Sequence, residues 1–415
     1  MSAPAATDLP GAVPNKGMLI AAVVAMLLQQ TIAHLATLAV PVAAPALAEG
    51  LGVDPALLGV YYGIAYSAGM VASLACGAFI LRFGGWRVSQ VLLLIMAAGL
   101  AFIGPGWLWL MPLAAVVIGV GTLPSTPASS HILARFSTPK VAPLVFSVKQ
   151  TGVPLGAMLA GLLIPFLILA VGWRGTFLVV AGICLAAAIL LQPFRAAFDT
   201  DRQPGRPLSL GAVTASFRSV MADPGLRELC FAMVAFVGIQ TCFTGFFVTF
   251  MVKAVGMALV EAGIVYSTAL SVAIAARILW GWVGGRFVAA RLLLAILGIL
   301  MAAAGVLTGL ISASWNPAAI TAVAILFSAT AVSWHGVLFS EIARLAPPGE
   351  AGPATGVATF FAGFCQVVYP LTFGGILAAT GSFGIGYVVA SIPALVVALG
   401  FLRRRGAVAA ENGPA

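Results

Sequence analysis

Apolar residues run along this chain in long blocks with short polar interruptions, as in Val91–Phe102, Leu155–Val171 and Phe177–Leu191. A hydrocarbon core of about 30 Å is crossed by roughly 20 residues at 1.5 Å per residue. Backbone groups in lipid must be satisfied within their own segment, so such blocks are predicted to be helices. Twelve are read, at 18–41, 56–80, 88–105, 107–133, 143–170, 173–193, 227–252, 259–283, 290–312, 316–343, 353–379 and 383–402. The longest polar stretch, Arg195–Asp223, contains Pro204, Gly205 and Pro207 and splits the spans into two sets of six. The expected organisation is a tail at 1–17, a bundle at 18–194, a linker at 195–224, a second bundle at 225–402 and a tail at 403–415.

Composition narrows the class. Of 415 residues, 62% are hydrophobic and 7% charged, too few charges to coat a soluble surface. The net charge of +9 does not indicate nucleic acid, because its placement follows topology. With both termini inside, sixteen of the twenty Lys and Arg residues fall in cytoplasmic segments: Lys16, Arg82, Arg87, Arg135, Lys140, Arg195, Arg202, Arg206, Arg218, Arg227, Arg286, Arg291, Arg344 and Arg403–Arg405. Only Arg174 and Lys253 fall outside, as the positive-inside rule requires. The five cysteines have no metal-ligand spacing and read as small apolar side chains. No metal or cofactor is expected, and the stretch after Lys16 reads as a first span, not a cleaved signal.

The halves echo each other. A shift of 204 carries Gly59, Tyr62, Ser67, Gly77 and Arg82 onto Gly263, Tyr266, Ser271, Gly281 and Arg286. A shift of 209 carries Ala134, Arg135 and Pro139 onto Ala343, Arg344 and Pro348. Repeated halves with a midplane site are a transporter plan. Local motifs agree. Gly77-Ala-Phe-Ile-Leu81-Arg82-Phe-Gly84-Gly-Trp-Arg87 resembles the Gly-x-x-x-Asp-Arg-x-Gly-Arg-Arg signature of the major facilitator superfamily, with an echo at Gly281–Arg286. Gly152-Val-Pro154-Leu-Gly156 and Trp173-Arg174 are similar to features of the fifth and sixth spans there. The resemblance covers nearly the whole chain. It implies an all-α membrane protein of twelve helices in two pseudo-symmetric halves, a secondary transporter without enzymatic activity. The residues matched to the gating motif are Gly77, Arg82, Gly84, Arg87, Gly281 and Arg286. The signature Asp is replaced by Leu81 and Gly285, so the gate latch it forms in the family must be weaker or made otherwise.

Two basic residues remain, Lys149 and Arg277, nine residues inside Lys140 and Arg286 respectively. At 1.5 Å per residue both lie roughly 13 Å deep, near the midplane. The acidic residues lie in loops or near span ends, Glu228 and Glu341 among them. Arg277-Ile-Leu-Trp-Gly281 also resembles the eighth-span Arg-x-x-x-Gly of monocarboxylate and related anion porters, where the Arg is implicated in holding the carboxylate. An anionic solute is therefore one partner for the pair; snorkelling to headgroups and bonding of helix-end carbonyls are the alternatives. His335 shares their depth and is a candidate for solute binding and for a coupling proton, or a hydrogen-bonded structural His. His34 and His131 lie nearer span ends and read as structural.

Polar residues on cavity-lining spans, Gln30, Gln150, Gln240, Gln366 and Tyr369, are candidates for solute contact or interhelical glue. Pro124, Pro127, Gly152, Pro154 and Gly156 are expected to permit bending or close approach. The expectation is a monomeric carrier of a small organic anion such as a monocarboxylate, with a proton as a candidate partner, in a bacterial inner membrane. An exporter of drugs or other hydrophobic compounds, a sugar carrier and a transporter-like receptor are the competing readings.

Overall fold

The computed structural model describes residues 16–53 and 57–411. The first fifteen residues of the expected N-terminal tail and the last four of the C-terminal tail lie outside these. The described chain is almost entirely helical. Long apolar helical segments run over Lys16–Val42, Val60–Phe83, Gly85–Ile103, Leu108–Phe136, Ala142–Phe198, Pro224–Val255, Glu261–Arg286, Ala290–Gly309, Pro317–Leu345, Ala351–Thr380 and Phe383–Arg403. The 57 residues of Ala142–Phe198 are two spans joined at Gly172, whose φ of 71° and ψ of 167° only glycine adopts easily. Twelve spans result, numbered here in chain order with the fifth and sixth at 142–171 and 173–198. The last helix continues past Arg403 to Glu411, into the stretch expected as a tail.

Side chains facing out of the bundle are apolar, with Phe166, Leu169, Leu190 and Leu371 more than half exposed, as a lipid-facing surface requires. Trp107 and Trp109 stack at 5.6 Å at the end remote from the linker, a place where amphipathic rings meet headgroups. Inside, Phe243, Phe247, Phe327 and Tyr387 form an aromatic core between spans 7, 10 and 12.

At the linker end the two sets of six close on each other through small residues. A Cβ added at Gly77 in span 2 would lie 2.7 Å from Pro353 in span 11. Ser73 bonds Thr359 there, and also the Gly356 carbonyl at 3.3 Å. Spans 5, 8 and 10 interlock likewise, with Ser147 seated against Gly281 and Gly336. Toward the opposite end, Gly63, Gly374 and Gly375 have nothing within 4 Å of an added Cβ. The linker helix Leu210–Ala222 lies beneath the closure, Phe217 packing on Phe360 and Phe361 at 6.2 and 6.1 Å.

Within the first set, spans 1 and 5 touch backbone to backbone. An added Cβ at Gly152 would lie 2.9 Å from Gln30, and one at Gly156 under 3.0 Å from both Thr31 and His34. Gly161, one turn on, faces open space. Replacing Gly156 by Leu should therefore cost about 1–3 kcal/mol through overpacking. Thermal unfolding of the detergent-solubilised protein is expected to move down in Gly156→Leu and to stay put in Gly161→Ala; equal behaviour of the two would contradict this packing.

Candidate functional site

Three spans are interrupted at the level of Lys149 and Arg277. Span 4 breaks between Thr122 and Ser125, span 5 at Thr151, and span 10 between Ala331 and His335. Proline explains the position of two breaks. Pro124 caps the second half of span 4, while Pro127 and Pro154 stand third in the helices that restart at Ser125 and Gly152, where their missing N–H is not needed. Each proline nevertheless leaves the carbonyl four residues earlier without its helical donor. For Pro154 that carbonyl belongs to Gln150.

Arg277 takes it. Its Nη1 donates to the Gln150 carbonyl in span 5 and its Nη2 to the Val332 carbonyl at the break in span 10, both at 2.5 Å. Lys149 donates to Oε1 of Gln30 in span 1 at 2.6 Å and to Oε1 of Gln150 at 3.2 Å. Both cations are 2% exposed, and no described hydrogen bond or ion pair gives either a carboxylate. The snorkelling alternative does not describe them. The carbonyl-bonding alternative describes Arg277, which ties the two sets of six helices together from span 8.

His335 stacks on Trp334 at 3.9 Å and lies within electrostatic reach of Arg277 and Lys149. His34, read as structural, bonds into the same cluster. Its Nδ1 is 2.9 Å from Nε2 of Gln30, which extends the network to His34–Gln30–Lys149–Gln150–Arg277 across spans 1, 5 and 8. The sequence signal was the i, i+4 spacing of Gln30 and His34 on one helix face. Gln240, Gln366 and Tyr369 are half-buried on spans 7 and 11, and no described hydrogen bond joins them to this network. The Tyr369 ring rests on Gly238 of span 7, and Oε1 of Gln240 is buried without a described donor.

The residues matched to the signature after span 2 are held from the end of span 6. Gly84, with φ 94°, lets span 3 start directly against the Asp199 carboxylate, which accepts from the N–H groups of Trp86 at 2.8 Å and Arg87 at 2.9 Å. A side chain at Gly84 would occupy the place of that carboxylate. A carboxylate capping exposed N–H groups at a helix start is the favourable end of the helix dipole. Arg82 donates to the Arg206 carbonyl at 3.3 Å, and Arg206 pairs with Glu350 beside span 11 at 3.7 Å. Leu81, in the position of the signature Asp, is buried. Arg286 is exposed and stands over Phe287. In the second set, Glu341 pairs with Arg291 and Arg344 at 3.2 and 2.7 Å, on the wall of a cavity of about 490 Å³ between the loop after span 4 and spans 8 to 10. Sequence reading missed Asp199 and Asp201, which lie more than a hundred and about seventy residues from the groups they hold.

The sequence matches the description Major Facilitator Superfamily over residues 19–370. Among solved structures, a variant of the Escherichia coli fucose:proton symporter FucP is 16% identical, with TM-score 0.71 over 93% of this chain and 99% of that one. The human organic anion transporter MFSD10 (TETRAN) is 15% identical, with TM-score 0.73 over 92% and 99%. A bacterial homologue of the iron transporter ferroportin, in an outward-facing state, is 14% identical, with TM-score 0.72 over 92% and 98%. Comparison with curated protein sequences gives no match. The family match and the long apolar helices make this a multi-pass membrane transporter of small solutes. The chain belongs to the Major Facilitator Superfamily.

The carboxylates at the linker end carry a pH signature. Burial raises Asp199 above its ordinary range, against the two N–H donors and Arg195. Burial also pushes Asp201 upward, but the hydrogen bond and electrostatic pull of His131, with Arg135, outweigh it and hold this carboxyl below its ordinary range. A depressed carboxyl stabilises the fold above its unfolded value of about 3.9 and loses that contribution as pH falls below it. Asp201→Asn should thus be less stable than the parent at neutral pH, by about 1–3 kcal/mol for the lost charge-assisted bonds. The two melting curves should converge as pH drops below about 4; a gap that persists there would rule out Asp201 as its source.

Proposed function

We propose that the chain is a secondary transporter for a small organic anion, a monocarboxylate in the simplest case, working by alternating access. The observation that carries this reading is the pair of cations at one level, Lys149 and Arg277, solvated by amide and carbonyl oxygens and by no described carboxylate. Buried charge in a membrane bundle is costly and is found where a pathway or an ion is handled. Neutral oxygens lower that cost without removing the charge. A carboxylate accepts from a guanidinium through two parallel, charge-assisted bonds, which are stronger than bonds to neutral carbonyls.

The mechanism follows from where Arg277 reaches. Its bond to the Gln150 carbonyl joins the bundle at 18–194 to that at 225–402, the halves that rock about the linker at 195–224. An arriving carboxylate competes for the guanidinium and frees the Gln150 and Val332 carbonyls. Solute binding thereby weakens a tie between the halves at the level where they must part. Lys149 supplies the second positive group, with Gln30 and Gln150 orienting it; Gln240, Gln366 and Tyr369 line the approach from the second half. His335, beside Arg277, carries the coupling proton in this reading. With the basic linker end on the cytoplasmic side of a bacterial inner membrane, the close packing of Gly77 on Pro353 and Ser147 on Gly281 is the inner gate, and the conformation is closed to the cytoplasm. The chain acts as a monomer.

Purified protein in liposomes should accumulate radiolabelled lactate. Arg277→Ala and Lys149→Ala should each lower uptake at least tenfold while eluting as folded monomers on size exclusion. Arg277→Lys should fall nearly as far, because one ammonium cannot make the paired bonds of a guanidinium. Uptake at parental rates in both alanine variants would refute the cation pair as the solute site.

A further inference from the structure

The Lys149 ammonium fixes the orientation of a neighbouring amide, and that amide fixes a proton on another helix. An ammonium has three N–H donors and no lone pair. The Gln30 atom 2.6 Å from Nζ is therefore Oε1. The other end of the amide, Nε2, then faces Nδ1 of His34 at 2.9 Å. An N–H pointed at a ring nitrogen requires that nitrogen to accept. While Lys149 is an ammonium, His34 is thus neutral and carries its proton on Nε2.

The reverse case is equally constrained. If His34 is protonated on Nδ1 it becomes a donor, and the Gln30 amide must turn over to present Oε1. Nε2–H then points at Lys149, which can accept only through the lone pair of a neutral amine. An ammonium there would meet an N–H head on. The three side chains cannot stay bonded with both ends protonated. The backbone contact of spans 1 and 5 at Gly152 and Gly156 leaves them little room to separate.

We propose that His34, Gln30 and Lys149 form a single proton site of capacity one, in which the Gln30 amide makes protonation of His34 and of Lys149 mutually exclusive. The exchange balances: as the proton moves by way of water, one N–H bond breaks at Lys149 Nζ, one forms at His34 Nδ1, and the net charge of the unit is unchanged. This deepens the reading of the chain as a proton-coupled carrier, on which it rests, and sets one proton as the most this unit holds. The other charged groups facing it are Arg277 from span 8, which acts on His34, and His335 from span 10, on which His34 acts. Spans 3, 4 and 6 also pack on the region. Their described charged groups lie at span ends: Arg87 bonds Gln192, His131 and Arg135 pair with Asp201, Arg195 pairs with Asp199, and Arg174 stands over Trp173.

The test needs no solute. The chain has three histidines, so side-chain nitrogen resonances of ¹⁵N-histidine-labelled protein in detergent can be assigned with His34→Asn and His335→Asn. Near neutral pH the parental His34 is expected with Nδ1 bare and Nε2 protonated. Gln30→Leu keeps the Lys149 charge and removes the amide. His34 should then move its proton to Nδ1, where the residue 30 carbonyl waits at 3.2 Å. A purely electrostatic influence of Lys149 predicts no tautomer change in that variant. An Nδ1-protonated His34 in the parent, or the same tautomer in parent and Gln30→Leu, overturns the proposal. Gln30→Met serves if the leucine variant fails to fold, and the parental spectrum alone can refute the idea. Absence of lactate uptake would instead count against the anion reading and leave this measurement unaffected.

Discussion

A positive charge at the middle of a membrane bundle must be given oxygen atoms, and in this fold those atoms come from opened backbone and from amides. Arg277 needs two carbonyls that no helical N–H occupies. Pro154 frees the one on Gln150, and the break before His335 offers the one on Val332. Lys149 needs two side-chain acceptors, and the glycine-lined contact of span 5 with span 1 brings Gln30 within reach. The interruptions in spans 5 and 10 and the small residues of span 5 are thus parts of one arrangement. Each would be a defect alone, since a broken helix in hydrocarbon leaves polar groups unsatisfied. Together they solvate two cations.

The closed end of the bundle obeys a different rule. There the halves meet through residues without bulk, and the charges sit to the side, bracing each half internally. Asp199 holds the start of span 3, Asp201 holds Arg135 and His131, and Glu341 holds Arg291 and Arg344. Only Arg206 with Glu350 reaches from the linker to span 11 among the described ion pairs. Leu81 and Gly285 fit this arrangement. A latch built from ion pairs resists parting through charge; one built from Gly77 on Pro353 resists through dispersion and a few hydroxyl bonds, each individually small. Such a closure, if it is the proposed gate, would part without exposing unpaired charge, which suits a chain with so few carboxylates.

The transmembrane plan was legible because hydrocarbon thickness imposes a length on every span. Counting residues from Lys140 and Arg286 placed Lys149 and Arg277 at one depth, and both are buried there. What counting could not supply was the identity of their partners. A backbone carbonyl has no letter in the sequence; a proline four residues later hints at the one on Gln150, and nothing comparable marks the one on Val332. The Asp199 cap was hidden for a related reason. It acts on N–H groups across more than a hundred residues of chain, and neither end carries a local signature beyond Gly84. The contact of His34 with Gln30 was foreshadowed by their i, i+4 spacing, which distance from the helix end did not show.

The choice of neutral oxygens over carboxylates also bears on how such a site could turn over. A buried Lys–Asp or Arg–Glu pair gains much of its stability from complete mutual compensation, and removing one partner is costly. A solute anion would have to displace a charged competitor already in place. Carbonyl and amide oxygens stabilise the cation by dipoles that remain hydrogen-bonding groups when released, and the Gln150 carbonyl can relax toward its own helix once Arg277 turns away. The exchange of a neutral acceptor for a charged one is then downhill for the guanidinium and mild for the backbone. On the proposed reading the same reasoning would limit affinity, because the oxygens would reclaim the cation when an anion left. A carrier requires that balance, with binding strong enough to break the tie between the halves and weak enough to let it re-form.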